Sequence, residues 1–233
     1  MKPLLLLLLC FVALACIAPP VAAQEDRGVP IIKAPCHVPV FRNEYVTLLN
    51  VFVPPGKNTG YHIHSGDSVS VSIEDADMTN QNLGSNDVSK PQRGERGRAT
   101  FTAYTKDGPR THKASNVGPT PFHNISFIFN SPRPGGFTPG TRGAGYAQVM
   151  DNERARGWRL VLESGQSVPA ITQAAPGIRI VVSGGELVES VSGQPDRAMS
   201  PKMGEFFWPD AGVTRAVRNT GESRLELVEF EIK

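Results

Sequence analysis

Cysteine is scarce in this chain, with three in 233 residues, and two of them, Cys10 and Cys16, fall in an apolar opening stretch. Once that stretch is removed as a leader, Cys36 stands alone and no intramolecular disulfide is possible. A single thiol is either buried or available for pairing between chains, and burial is the expectation here. Long apolar runs are equally few: the one at residues 4–18 is too short for a comfortable membrane span, so none is expected. Stretches at helical spacing are short, which disfavours a helical protein. Excess charge of one sign is also missing, the formal net charge being +2. Arg93, Arg96 and Arg98 cluster, but Gly94, Glu95 and Gly97 interleave them, and they read as a solvated loop. Nucleic acid is therefore not an expected partner.

The opening stretch has the parts of a secretory signal. Lys2 supplies a positive charge, residues 4–18 an apolar core, and Val21-Ala22-Ala23 the small residues before a cut. Cleavage after Ala23 is expected, and with it a periplasmic or secreted location. Lipidation at Cys16 fits less well, because the leucine of Ala13-Leu14-Ala15 stands one step from its usual place. The mature chain keeps 233 − 23 = 210 residues, enough for one large or two small cores.

Glycine (23) and proline (20) are plentiful and spread along the chain, a composition of many short strands joined by turns. Residues 31–40 suit a short edge strand interrupted by prolines. Residues 43–53 are rich in β-branched and aromatic side chains and end in Pro54-Pro55-Gly56, a strand followed by a turn. Residues 68–73 alternate small polar with apolar side chains at period two and suit a barrel wall. Residues 77–98 are polar and read as a long loop, either a lid over a pocket or a surface excursion. In the strand at 122–129, Ile125, Phe127 and Phe129 share a face, and His123 begins the same row. Asn130 to Gly145 has the Pro/Gly composition of a linker.

Tyr61-His62-Ile63-His64 is the stretch with the most chemistry. Residues two apart in a strand project from one face, and their Cα atoms lie about 6.5 Å apart, which lets two imidazoles converge on one ion. Two ligands do not make a site. His112, in Gly108-Pro-Arg-Thr-His112-Lys-Ala-Ser-Asn116-Val-Gly118, is a third candidate that only tertiary folding can bring to the pair. His37 has no glycine-led turn or strand-spaced partner, and a surface or edge position is expected for it.

Gly56 stands six positions before His62, and Asn116 four after His112. This pattern resembles the two sequence motifs of the cupin superfamily, a glycine-led His-x-His and a later His-x3-Asn. The resemblance implies that His62, His64 and His112 meet inside a small β-barrel around one divalent metal ion, of iron, manganese, nickel, copper or zinc. It also implies that His123 seldom serves as a ligand and that barrels often pair into homodimers. The family usually supplies a glutamate four or five residues after the second histidine; Ser68 and Val69 stand there instead. Asp67 is the nearest acid and the candidate fourth ligand, although its odd offset from His64 requires a bulge.

The second half repeats the first in outline. Asn219 and Gly221 follow Arg215 by four and six residues, as Asn116 and Gly118 follow His112. Gly165 precedes Ile171 by six, and Gln173 stands where His64 would. Arginine does not give up its proton to bind a cation. The expected fold is all-β: two cupin-type barrels (jelly rolls) in tandem, a bicupin. Its divisions are a signal peptide at 1–23, a metal-binding barrel at 24–130, a linker at 131–145 and a degenerate, vacant barrel at 146–233.

Three imidazoles without a carboxylate leave open positions on an ion for water, oxygen or a bidentate small-molecule ligand. By resemblance, cupins with this ligand set include dioxygenases acting on flavonols, diketones and thiols. The expected function is an exported metal-binding bicupin acting as a dioxygenase-type oxidoreductase on a small organic molecule. Two alternatives stay open: a periplasmic metal or small-molecule binding protein without turnover, and an isomerase or lyase. The last would need a base, for which only Tyr61 and Tyr104 stand close in sequence.

Overall fold

The computed structural model of the chain describes residues 27–130 and 135–233. The expected leader (1–23) and the first four linker residues (131–134) lie outside the described residues. The first half runs β1 (Val29–Pro30), β2 (His37–Arg42), β3 (Val46–Val53), β4 (His62–His64), β5 (Ser68–Ser72), β6 (Ala76–Asn82), β7 (Gln92–Gly94), β8 (Ala99–Thr102), β9 (Arg110–Asn116) and β10 (Phe122–Phe129). They form two five-stranded sheets, ordered β1-β4-β9-β6-β7 and β2-β3-β10-β5-β8. The second half runs β11 (Tyr146–Asp151), β12 (Ala155–Leu162), β13 (Ser167–Thr172), β14 (Gly177–Ser183), β15 (Leu187–Val191), β16 (Arg197–Met199), β17 (Phe206–Phe207), β18 (Thr214–Asn219) and β19 (Leu225–Ile232). Its sheets are ordered β11-β12-β19-β14-β17 and β13-β18-β15-β16. The chain is thus nearly all sheet and makes two barrels, each of two facing sheets.

Residues 77–98 are not one long loop. β6 and β7 pair antiparallel, with Ala76 opposite Gly94, and β6 pairs with β9 in the sheet that carries the histidines. This strand is polar because Met78 and Asn80 face a cavity rather than a dry core.

Alternation gives each sheet two different faces. In β5 and just after it, Val69, Val71 and Ile73 are wholly buried, and Ser70 points the other way, into the cavity. In β10, Ile125, Phe127 and Phe129 form the apolar row. That row does not fill its own barrel. It packs against Ile178, Ile180, Val182, Val228 and Phe230 of the second unit, so the largest core of the molecule lies between the barrels. Phe127 and Phe230 meet there edge to face, with centroids 5.2 Å apart. His123 belongs to this row and therefore points away from the cavity. Its Nε2 lies 3.0 Å from Asn50 Oδ1, and its ring abuts Gly204, where any Cβ would collide with it.

The repeat holds at the level of single atoms. Asn116 Nδ2 donates to the carbonyls of Val53 (2.9 Å) and Thr120 (2.8 Å) and its Oδ1 accepts from Gly118 N–H. Asn219 Nδ2 donates to Leu162 (2.9 Å) and Ser223 (2.8 Å) and its Oδ1 accepts from Gly221 N–H. The turn glycines Gly56 (φ 72°) and Gly165 (φ 75°) donate to the carbonyls of Asn116 and Asn219 respectively. Both adopt the left-handed region that favours glycine. Each asparagine thus ties a glycine-led turn to the strand that carries the His112 or Arg215 position.

Candidate metal centre

Strand pairing assembles the site. β4 and β9 run antiparallel with His62 directly opposite His112 and His64 opposite Arg110. The imidazole centroids of His62, His64 and His112 are 4.8, 4.7 and 5.0 Å apart, a nearly equilateral triangle. One nitrogen from each ring lies within 4.8 Å of the others. His64 Nε2 and His112 Nε2 are 3.1 Å apart. Two donors each about 2.1 Å from an ion and separated by that distance subtend roughly 95°, the angle between neighbouring ligands of an octahedral site. The donor set therefore suits a divalent ion.

The supporting contacts are uneven. His62 Nδ1 faces the Gly60 carbonyl at 3.1 Å, which places the proton on Nδ1 and leaves Nε2 as the donor. His112 Nδ1 is buried without a hydrogen-bond partner among the described residues. Burial holds His62 down at about 4, the bond to Gly60 notwithstanding. Burial, followed by the charge of neighbouring His62, holds His64 at about 3. Burial, with His62 and His64 behind it, holds His112 at about 2. All three imidazoles are neutral at pH 7, the form that binds a metal.

The rings line a cavity of about 300 Å³ inside the first barrel. His37 lines it too: it stands on the edge strand β2, within the surface or edge position expected for it, but its side chain is turned inward and not to the surface. It is buried, its ring centroid is 4.6 Å from that of His62, and its Nδ1 lies 2.9 Å from the Pro35 carbonyl. Tyr104 stacks on His64 at 4.8 Å with the planes 23° apart. Tyr61, in contrast, lies under Lys113 Nζ, 5.0 Å from its ring centroid. Opposite the histidines, Ser70 and Ser126 hydrogen-bond at 2.9 Å, and Ser126 donates to Asn124 Oδ1 at 2.8 Å. Among the described residues lining this cavity there is no carboxylate.

Asp67 is engaged elsewhere. Its Oδ1 accepts from Thr105 N–H (2.8 Å) and Oγ1 (2.6 Å), and its Oδ2 from Arg154 Nε of the second barrel at 2.6 Å. Both oxygens are occupied, Oδ1 within the first barrel and Oδ2 by an inter-barrel bridge. Cys36 is half-buried in a left-handed conformation (φ 65°), its Sγ 3.8 Å from the Asn58 carbonyl.

The second barrel keeps the register: Ile171 stands opposite Arg215 as His62 stands opposite His112. Its interior, however, is filled rather than vacant. Arg215 donates to Gln173 Oε1 (2.9 Å) and Glu229 Oε2 (2.8 Å). Arg179 bridges Glu229 and Glu189 (3.0 and 2.6 Å), and Arg142 holds Glu231 at 2.7 Å while lying over Trp158. A guanidinium supplies the positive charge in the place equivalent to the histidine site.

No protein-family model matches the sequence, and no curated protein matches it. Solved structures do match. AerE from Microcystis aeruginosa superposes with a TM-score of 0.57 at 13% identity, over 86% of this chain and 98% of that one. A salicylate 1,2-dioxygenase variant from Pseudoaminobacter salicylatoxidans, in complex with gentisate, gives 0.57 at 14% identity, over 89% and 76%. The cupin 2 conserved barrel domain protein from Leptotrichia buccalis gives 0.50 at 10%, over 84% and 88%. The fold is that of a bicupin. In this chain the first barrel carries the imidazole cluster, and the second carries a buried ion-pair network in its place.

Proposed function

We propose that this bicupin is an exported metal-dependent oxidoreductase of the dioxygenase type, acting on a small organic molecule. One divalent ion would be held by His62, His64 and His112. The observation that carries this reading is the convergence of three neutral imidazoles, two with their Nε2 atoms 3.1 Å apart, inside a cavity of about 300 Å³. With few protein donors, an ion held by these three residues would supply Lewis-acid and redox chemistry to a small oxygen-donor molecule. The chain's own residues shape the rest. Tyr104 stacked on His64 closes one side, and the Ser70–Ser126–Asn124 relay offers hydrogen bonds to a polar substrate. The gentisate bound by the dioxygenase of the same fold is a substrate of suitable size and chemistry to test. The leader motif at residues 1–23 supports export.

Metal analysis of protein purified without added ions, alongside His62→Ala/His64→Ala, tests the centre. One equivalent in the wild type and none in the variant is expected. Reconstitution with Fe(II), Mn(II), Ni(II), Cu(II) and Zn(II), followed by oxygen uptake on gentisate, other phenols and diketones, tests the reaction. Retention of metal with no oxygen uptake on any substrate would favour the second reading, a binding protein without turnover, which the lack of a carboxylate among the described cavity residues supports.

A further inference from the structure

The cavity at the histidines is not closed. It shares Met78, Asn80, Thr100 and Phe122 with an outer cavity of about 450 Å³, whose rim carries Arg93 and Arg98. The two arginines differ in their surroundings. Arg93 is paired with Asp75 (3.2 Å) and Asp77 (3.6 Å), and neighbouring Arg96 takes Glu74 (2.7 Å). Three of the four local acids are thus consumed; the fourth, Glu95, is exposed and does not line the cavity, and Arg98 has no carboxylate within ion-pair reach among the described residues. The inner wall is uncharged, so nothing there would hold a cationic substrate. Arg110, opposite His64 across the β4–β9 pair, is positive as well; its Nε donates to the neutral Asn82 at 3.0 Å. Of the two charges that line this continuous pair of cavities, Arg93 is compensated and Arg98 is not, and an uncompensated charge favours ligands of the opposite sign.

Building on the metal-centre reading, we infer that the substrate is an organic acid: its oxygen pair binds at the histidine end, and its carboxylate reaches out through the shared waist to Arg98. Arg98 is then a specificity-determining residue that touches the substrate and not the ion. Because it is exposed, the pair it makes is worth little in absolute terms and is weakened by salt. The discrimination between an acid and its neutral counterpart is what it supplies.

Two matched probe pairs test this: 2,4-pentanedione against 4,6-dioxoheptanoate, and catechol against 3-(3,4-dihydroxyphenyl)propanoate. Each is titrated calorimetrically into Zn(II)-loaded protein, an ion without redox chemistry. The acid of each pair should bind the wild type about fivefold or more tightly than the neutral member, with the advantage shrinking at high salt. The preference should vanish in Arg98→Ala and persist in Arg98→Lys. An exposed side chain makes misfolding of these variants no concern, and their zinc content should equal that of the wild type. The inference is overturned by equal binding of acid and neutral probes to the wild type, by a preference that survives in Arg98→Ala, or by no probe binding to zinc-loaded protein. Failure to retain zinc at all, read separately by metal analysis, would instead bring down the metal centre and this inference with it.

Discussion

Replacing Arg215 by methionine tests whether the second barrel is held by its buried charges. Arg142, Arg179 and Arg215 face Glu189, Glu229 and Glu231, so the network is neutral with three charges of each sign. The Arg215 side chain is 2% exposed and gives one hydrogen bond to Gln173 and one to Glu229. Removing one member of a buried pair costs about 3–5 kcal/mol, because the partner's charge is left without compensation. Glu229 would still keep Arg179 at 3.0 Å, which puts Arg215→Met at the lower end, about 3 kcal/mol. For a chain of this size that is a fall in Tm of roughly 6–12 °C. Glu229→Gln alone would leave an excess positive charge and cost a similar amount. The double variant restores neutrality, so its loss should fall short of the sum of the singles by about 1.5 kcal/mol or more. Urea unfolding followed by tryptophan fluorescence reads this directly, since Trp158 lies against Arg142, 4.3 Å from its ring centroid. Metal content should not change, because these residues belong to the other barrel. A single-variant cost below about 1 kcal/mol, or additivity of the two changes, would refute the idea that the guanidinium holds this interior together.

Four other outcomes are expected. His62, His64 and His112 titrate at about 4, 3 and 2 in the folded chain against 6.5 unfolded, so the unfolded state binds more protons below pH 6.5. Their contribution is full above pH 6.5 and is lost as the pH falls through about 4 for His62, about 3 for His64 and about 2 for His112, by up to about 1.4 kcal/mol per pH unit for each imidazole. Urea melts of chelator-treated protein should show that slope, shallower in His112→Ala, and a flat profile from pH 6.5 to 5 would contradict it. Zn(II) at a hundredfold excess over its Kd should stabilise the wild type by about 2.7 kcal/mol and leave His62→Ala/His64→Ala unmoved in a thermal melt. Asp67→Asn should cost about 2–4 kcal/mol by stranding Arg154, yet retain the metal; loss of metal would return Asp67 to the ligand set. Phe127→Ala should cost about 3–5 kcal/mol and lower the stability of both barrels in a single transition, whereas separation into two transitions would deny them a common core.

What could be read from the chain alone, and what could not, divides along the range of the interactions involved. His62 and His64 are legible because period two is local, and Asn116 and Asn219 because a turn and the strand it is tied to recur at fixed offsets. His37 is not: it enters the cavity because it lies opposite Val51 in an antiparallel pair, a register set by the whole sheet. Period two also says which residues share a face without saying what that face meets. The row from His123 to Phe129 has the pattern of a barrel interior, and it is the second barrel, invisible to a local reading, that turns this row into an interface. β19 shows the same effect in its strongest form. Glu226, Glu229 and Glu231 punctuate Leu225–Ile232 as acids would in a half-exposed strand, yet all eight residues are buried, because Val228, Phe230 and Ile232 meet the inter-barrel core while Glu229 and Glu231, on the other face, meet the arginines. An acid in such a strand signals solvent unless its cation is known, and those cations, Arg142, Arg179 and Arg215, come from three separate segments. Polar residues of β6 mislead in the opposite direction. Asn80 faces a cavity, and a strand that lines such a space has no dry side for its composition to announce. The positions hardest to read are therefore those whose surroundings are supplied by the other barrel or by the open space of the cavity.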